Sequence, residues 1–166
     1  MKRLEVHGVR VEMPTNQPIV LLKESDGTRY LPIWVGAAEA TAIAYAQQGI
    51  VPPRPLTHDL LVNVIEALGH TITEIRIDAI VDNVFHAVLV FDHTIEVSAR
   101  ASDAIALALR LDHEIVGRPE VVEEAGVIIS EGEDAEDEVE KFREFLDQIS
   151  PEDFEGEEGP DRPASS

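Results

Sequence analysis

The nine residues LPIWVGAAE, at positions 31–39, change from a strand pattern to a helix pattern within a few positions. Apolar side chains alternate with others over residues 30–35, which is typical of a β-strand. Gly36 interrupts the alternation, and an alanine-rich stretch then runs to Gln48 and ends at Gly49, a common helix terminator. The segment therefore predicts a strand that leads through a glycine directly into a helix.

Upstream of this segment, the pattern predicts two further strands. Apolar residues alternate over residues 4–13, but the alternation changes phase at Gly8, which indicates a β-bulge. Residues 19–22 are continuously apolar, as in a strand that is covered on both faces, and residues 25–28 (SDGT) predict a hairpin turn. Pro32 has no N–H group to donate, so its strand is predicted to have an unpaired side at that position.

Downstream, two more helices are predicted, each capped by a hydroxyl residue. The proline-rich segment 51–55 leads to Thr57, the predicted N-cap of a second helix that ends at Gly69. Ser102 is the predicted N-cap of a third helix over residues 103–111. This third helix is apolar almost all round and is therefore expected to be buried.

Between these helices, residues 71–99 show alternating segments that predict a second block of three strands. A short strand at residues 115–116 and a short helix at residues 120–125 follow. The predicted order is β-β-β-α-α-β-β-β-α-β-α. It indicates an α+β fold, a single compact domain over residues 1–130 with a mixed, largely antiparallel sheet and packed helices.

Charge divides the chain into two parts. The 166 residues include 33 acids and 13 bases, a net charge of -20. Residues 1–130 hold 18 acids and 10 bases, which leaves -8, whereas residues 131–166 hold 15 acids and 3 bases, which leaves -12. The second part is predicted to be an acidic extension, since like charges with Gly, Pro and Ser cannot bury enough apolar surface to fold alone.

Within the extension, residues 135–149 are predicted to form a short amphipathic helix that docks on the domain or on a protein partner. The helical spacing is carried by Val139, Phe142, Leu146 and Ile149, and Phe145 widens the stripe. Residues 150–166 are predicted to be disordered.

Composition also excludes several classes of protein. The chain has no cysteine, which excludes a disulfide scaffold, a thiolate zinc site and a cysteine nucleophile. No apolar run approaches the ~18 residues that span a bilayer, and the first residues lack the apolar segment of a signal peptide. A cytoplasmic protein without membrane contact is expected. The strong negative charge also argues against a basic nucleic-acid clamp.

Polar side chains cluster where each of the three predicted helices begins. Helix N-termini attract phosphate, and a guanidinium group grips it with two N–H groups. Carboxylates are ligands for Mg²⁺ or Mn²⁺, and a histidine moves protons near neutral pH. The candidate catalytic residues are Glu39, His58, Asp59 and Asp103; the candidate phosphate-binding residues are Arg54, Thr57, Arg100 and Ser102; and the candidate metal ligands are Glu39, Asp59 and Asp103.

These residues are the parts of metal-assisted phosphodiester hydrolysis. Three carboxylates that share one ion must lie within about 8 Å of one another, because the ligand distances are about 2.0–2.6 Å. A basic patch of Arg54, Arg76, Arg100 and Arg110 would then have to offset the acidity of the domain. The plainer interpretation is that Thr57 and Ser102 are caps, while Asp59 and Asp103 meet the helix dipoles.

Four segments of the chain resemble the bifunctional nuclease domain family. They are PIVLLKE at 18–24, LPIWVG at 31–36 with the following Glu39, RPLTHDLL at 54–61, and RASDAIALA at 100–108. The resemblance implies a compact α+β domain, a homo-oligomer for which a dimer is favoured, and nuclease activity on DNA and RNA. The third family motif usually reads Asp-Ala-Arg-Pro-Ser-Asp, whereas Ser98 and Ala101 replace its first Asp and its Pro here.

Two other functions stay open at this point. The alanine-rich helix at 37–48 and the apolar stripe of the extension are surfaces that a non-enzymatic regulatory or protein-interaction module would use. The three helix N-termini would also suit a binder of small phosphorylated ligands. A stoichiometric protein partner would favour the first of these, and thermal stabilisation by a nucleotide would favour the second.

Overall fold

The two predicted blocks of strands lie in one mixed sheet of eight strands. A computed structural model of the chain describes residues 1–129, and the predicted amphipathic helix at 135–149 and disordered end at 150–166 lie outside them. In chain order the elements are β1 (Lys2–Glu12), β2 (Gln17–Glu24), β3 (Arg29–Trp34), α1 (Ala37–Gln47), α2 (Thr57–Ala67), β4 (Ile72–Val81), β5 (Val84–Phe91), β6 (Ile95–Arg100), α3 (Ala101–Leu111), β7 (Ile115–Gly117), α4 (Pro119–Ala125) and β8 (Val127–Ile128). The predicted α+β class and element order are confirmed, with β8 as an additional strand.

The short strand β7 joins the two blocks into one sheet. The strand order is β6-β5-β4-β7-β1-β2-β3-β8, so β7 lies between the first strand of each block. Its pairing with β4 is parallel, and the other pairings are antiparallel. The prediction of a mixed, largely antiparallel sheet is therefore confirmed.

Two local predictions about the strands are also confirmed. The β1–β2 register shifts between Val6 and Gly8, which is the expected bulge. Pro32 pairs with Leu21 of β2, but β8 on the other side of β3 reaches only Arg29 and Tyr30. Within residues 1–129 the outer side of β3 at Pro32 therefore has no strand partner, as the missing N–H group requires.

The predicted caps of α2 and α3 are wrong by one or two residues. Thr57 is the first residue of α2, and its N-cap is Leu56, whose N–H donates to Asp59 Oδ2 at 2.9 Å. The N-cap of α3 is Arg100, so Ser102 lies inside the first turn. In both helices an aspartate sits three residues after the cap, near the positive end of the helix dipole; Asp59 accepts the Leu56 N–H, whereas Asp103 binds the side chains of Arg100 and His58. A capping hydroxyl is therefore not needed.

The hydrophobic core lies between one face of the sheet and helices α1, α3 and α4. Seven of the eleven residues of α3 are buried, as predicted from its apolar composition. Helix α1 packs against α3 through small side chains such as Ala40 and Ala44, which allows the two helices to approach closely. None of the residues of α2 is buried, so α2 lies on the surface of this layer. The packing of α1, α2 and α3 brings their N-terminal ends together.

Candidate functional site

Four side chains from three helix N-termini form one connected polar cluster. Arg100 donates from Nε and Nη2 to the two carboxylate oxygens of Asp103, at 2.8 and 3.2 Å. Its Nη1 lies 3.0 Å from Glu39 Oε1 at the start of α1. Asp103 Oδ1 also lies 2.8 Å from Nε2 of His58 in the first turn of α2. The structure thus brings together Glu39, His58, Arg100 and Asp103, which come from three separate segments of the sequence.

Gly36 lets the Glu39 side chain fold back over the turn before α1. A Cβ atom at Gly36 would lie 2.3 Å from Glu39 Oε2, which is far closer than two such atoms approach. The glycine therefore creates the space in which the Glu39 carboxylate faces Arg100. The absence of a side chain at Gly36 thus allows the Glu39–Arg100 contact.

Arg100 retains free donors although it bridges two carboxylates. A guanidinium group has five N–H groups, and three of them are used by Asp103 and Glu39. The side chain is 66% exposed, so the two remaining N–H groups are accessible from solvent. Two N–H groups on one planar fork match two oxygens of a phosphate.

Asp103 is held in its ionised form. Burial of the carboxyl favours the neutral form, but hydrogen bonds from Arg100 and His58 outweigh it and lower the pKa of Asp103. The same contact with Asp103, more than that with Glu39, raises the pKa of Arg100. The pair is therefore fully charged at neutral pH.

The contact with Asp103 fixes the tautomer of His58. An ionised carboxylate only accepts hydrogen bonds, so Nε2 of His58 carries the proton and donates it to Asp103. In the neutral ring the lone pair is then on Nδ1, which accepts no hydrogen bond from the described part of the chain. The side chain of His58 is only 14% exposed, and it lines the groove described below. The arrangement places an oriented imidazole beside the Arg100 guanidinium.

Asp59 belongs to a different cluster. Its Oδ1 accepts from Arg110 Nε at 2.7 Å, and the same guanidinium donates to the main-chain oxygens of Ala42 and Ala106. Burial opposes ionisation of Asp59, but the Leu56 N–H and Arg110 outweigh it and lower its pKa. Asp59 and Arg110 thus tie α1, α2 and α3 together, and Asp59 lines a separate depression with Asn63.

We expect Asp59→Asn to affect stability and not chemistry. The amide turns one acceptor into a donor and removes the charge opposite Arg110, so the free energy of unfolding should fall by about 1–3 kcal/mol. Any nuclease activity of the kind that the family resemblance implies should stay within about twofold of that of the unsubstituted chain. Urea unfolding and a nuclease assay check the two parts, and Asp26→Asn, at an exposed pair with Arg3, is the matched control. Loss of cleavage in a folded Asp59→Asn protein would place Asp59 in the chemistry.

The carboxylates of these clusters do not fit a shared metal ion as they stand. Within residues 1–129, no group of three or more His, Cys, Asp or Glu side chains is arranged to hold one. The Arg100 guanidinium forms ion pairs with the carboxylates of Glu39 and Asp103, and the Arg110 guanidinium forms one with the carboxylate of Asp59. An ion bound by all three carboxylates would have to displace both guanidinium groups and draw Asp59 away from the helix junction. The expected site of Mg²⁺ or Mn²⁺ is therefore not supported by this donor set.

The three remaining candidate phosphate ligands lie at different depths. Thr57 lines the groove at the start of α2, beside His58. Arg54 is exposed on the segment that leads to α2, and it forms no ion pair within the described residues. Ser102 is buried in the first turn of α3 and does not line the groove. Only Thr57 and Arg54 are thus accessible to a ligand that approaches Arg100.

The basic patch that would be needed to offset the acidity of the domain does not form, because two of its four arginines pair with carboxylates elsewhere. Arg76 on β4 is 9% exposed and contacts the carboxylates of Glu74, Asp78 and Glu96. Asp78 also pairs with Arg118 at 2.7 Å. Arg110 is held by Asp59, as described above. Arg100 and Arg54 are the members of the predicted patch that stay exposed.

A groove of about 1020 Å³ between α1, α2 and β6 contains the cluster. Its walls are mainly apolar, a feature that motif reasoning did not identify. The spacing of Ala38, Thr41, Ala42 and Tyr45 on α1 is helical and would have indicated one such wall. The other wall residues include Leu60, Leu61 and Val97. The four side chains of the cluster thus line an open, mainly apolar groove.

Comparisons with known proteins agree with the resemblance of the four segments. A family model described as the bifunctional nuclease domain matches residues 20–130. Two proteins of Mycobacterium tuberculosis, from strains CDC 1551 and H37Rv, are each 52% identical to this chain over 161 residues. The alignments cover 93% of this chain and 98% of each relative, and both relatives carry the name uncharacterized protein. In the described part, no helix is both long and apolar enough to cross a membrane.

Proposed function

The chain belongs to the bifunctional nuclease domain family, and we propose that it cleaves phosphodiester bonds of DNA or RNA in the groove that holds His58, Arg100 and Asp103. The observation that supports this proposal is the His58–Asp103–Arg100 cluster. It combines an oriented imidazole, an ionised carboxylate and a guanidinium with two further N–H groups, and all three side chains line an open groove. These are the groups that proton transfer and phosphate binding require.

In the proposed reaction the scissile phosphate binds to the two free N–H groups of Arg100. His58 Nδ1 removes a proton from the attacking water, whose oxygen bonds to phosphorus while the bond to the leaving oxygen breaks. The imidazolium that forms is stabilised by Asp103, and it returns the proton to the leaving oxygen. Arg100 compensates the negative charge that accumulates on the phosphoryl oxygens. The sequence alone predicts assistance by Mg²⁺ or Mn²⁺, whereas no step of this scheme requires a metal ion.

The test is a cleavage assay with the full chain on single- and double-stranded DNA and RNA oligonucleotides. Parallel reactions contain Mg²⁺, Mn²⁺ or EDTA. We expect cleavage to persist in EDTA, because the described cluster supplies the proton acceptor and the phosphate ligand without an ion.

Cleavage that requires a metal would contradict the scheme but not the family assignment. Absence of cleavage of all substrates would remove the nuclease proposal. Thermal stabilisation by a nucleotide would then indicate a binder of phosphorylated ligands, and a stoichiometric protein partner would indicate an interaction module.

The homo-oligomer implied by the family is also part of the proposal. Leu60, Leu61 and Val64 of α2 and the following Leu68 are exposed in the single chain, and exposed apolar surfaces of this kind are typical of protein interfaces. A dimer that buries this face is the favoured form, with a second copy bordering the groove. A cytoplasmic location completes the proposal.

A further inference from the structure

The outer face of strands β2 and β3, opposite the helices, contains apolar side chains that are already shielded from water. Leu21 is 3% exposed and Tyr30 is 5% exposed, yet neither belongs to the core cluster. Their neighbours Val20 and Leu31 do belong to it, and successive side chains of a strand point to opposite faces. Leu21 and Tyr30 therefore lie on the face that α1, α3 and α4 do not cover.

This surface, which we call the outer patch, also includes Ile19 and Pro32. Pro32 pairs across the strands with Leu21, and Tyr30 pairs with Lys23, so these side chains share one face. Tyr30 is flanked by the ring of His7 and by the Lys23 ammonium, at centroid distances of 5.2 and 5.8 Å. An apolar side chain on an open sheet face reaches an exposed fraction as low as that of Leu21 only when another element covers it. Within residues 1–129 no helix packs there.

The charges around the outer patch favour an acidic covering element. Strands β1, β2 and β3 contain five bases and three acids, whereas the rest of residues 1–130 contains five bases and fifteen acids. Arg10 pairs across the strands with Ile19, so Arg10 and Lys23 both share the face of the outer patch. This block of strands is thus net positive, whereas the rest of residues 1–130 is strongly acidic.

The chain itself contains a segment of matching chemistry and sufficient reach. Residues 131–166 carry 15 acids and 3 bases, with Val139, Phe142, Leu146 and Ile149 at helical spacing. The described chain ends just after β8, which pairs with Arg29 and Tyr30 at the edge of the sheet next to the outer patch. Ten residues can span up to about 33 Å, whereas the outer patch is only one to two strands, about 5–10 Å, from β8.

We propose that the apolar stripe at 139–149 of the same chain covers the outer patch, with its acidic side chains facing Arg10 and Lys23. The C-terminal extension is then a second layer on the sheet, and it closes the face that the helices leave open. The groove on the opposite side stays accessible. This inference is independent of the nuclease proposal, because it concerns a different surface.

Disulfide trapping in the full chain tests the proposal, since the chain has no cysteine of its own. The variant Ile19→Cys/Phe142→Cys is equilibrated in a glutathione buffer, and the intramolecular disulfide is quantified by mass spectrometry. A second variant carries Leu146→Cys in place of Phe142→Cys. The result then does not depend on which turn of the stripe lies opposite Ile19. Pro32→Cys replaces Ile19→Cys if the latter variant does not fold. The control is Val97→Cys/Phe142→Cys, with Val97 exposed on β6 at the opposite edge of the sheet.

We expect the outer-patch pairs to form the intramolecular disulfide with an effective concentration at least about tenfold above that of the control pair. Equal values for outer-patch and control pairs would overturn the proposal. Disulfides that join two chains would overturn it as well, and would assign the outer patch to a second copy. The measurement does not use nuclease activity, so the two proposals can fail separately.

Discussion

Replacing His58 with alanine should lower the rate of phosphodiester cleavage by about 10²–10⁴-fold, the usual contribution of a positioned proton-transfer group. His58 is the imidazole of the described cluster, it lines the groove, and its Nε2 lies 2.8 Å from Asp103 Oδ1. Asp103→Asn should have an effect of similar size. The amide keeps the shape of the side chain but removes the charge that selects the His58 tautomer and holds the Arg100 fork.

A matched control exists in the same chain. His70 and Asp92 form a second close pair, with Nδ1 and Oδ2 2.6 Å apart, but it is more exposed and lies outside the groove. His70→Ala should therefore leave cleavage unchanged. Rates are measured on the best substrate found in the EDTA assay, and circular dichroism confirms that each variant is folded. If folded His58→Ala protein cleaved as fast as the unsubstituted chain, the proposed scheme would be falsified.

Replacing Arg76 with methionine should lower the free energy of unfolding by about 3 kcal/mol. Removing one partner of a buried ion pair typically costs about 3–5 kcal/mol, because the other partner loses its compensation. The lower end applies here, since Glu74 and Glu96 are partly exposed and can be hydrated, and Asp78 retains Arg118. The variant leaves three carboxylates facing one another on β4 and β6. Urea unfolding followed by circular dichroism at neutral pH gives the difference.

Arg118→Met is the control for Arg76→Met. Arg118 pairs with Asp78 alone and is 45% exposed, so its loss should cost less than about 1 kcal/mol. Adding Glu96→Gln to Arg76→Met should restore part of the stability by removing one of the opposed charges. Equal effects of Arg76→Met and Arg118→Met would show that the network around Arg76 is not a buried one.

The Arg76 network also has a characteristic dependence on pH. Burial opposes ionisation of Asp78, but Arg76 and Arg118 outweigh it and lower its pKa below the ordinary value of 3.8. Such a group stabilises the fold above that value, and the contribution is lost as the pH falls through the lowered pKa. The unsubstituted chain should therefore lose stability below about pH 4. Arg76→Met should lose less over the same interval, because protonation relieves repulsion between its carboxylates.

Local signals in the sequence were sufficient for most of the fold. The phase change at Gly8 indicates the bulge, the missing N–H of Pro32 indicates the unpaired side of β3, and the apolar composition of residues 103–111 indicates a buried helix. Each depends on residues close together in the chain, so spacing and residue type carry the information. The caps of α2 and α3 were misplaced by one or two residues: in α2 Asp59 accepts the N–H of Leu56, whereas in α3 Asp103 binds the side chains of Arg100 and His58.

The sequence by itself determined that Glu39, His58, Asp59, Arg100 and Asp103 lie at three helix N-termini. Only the tertiary structure decided how they are paired. Asp59 follows His58 directly, yet neighbouring residues on a helix point in directions about 100° apart, so His58 faces Asp103 while Asp59 faces Arg110. The partner of each side chain depends on how α1, α2 and α3 pack against one another. That packing is set by contacts between residues far apart in the chain, which no local spacing contains.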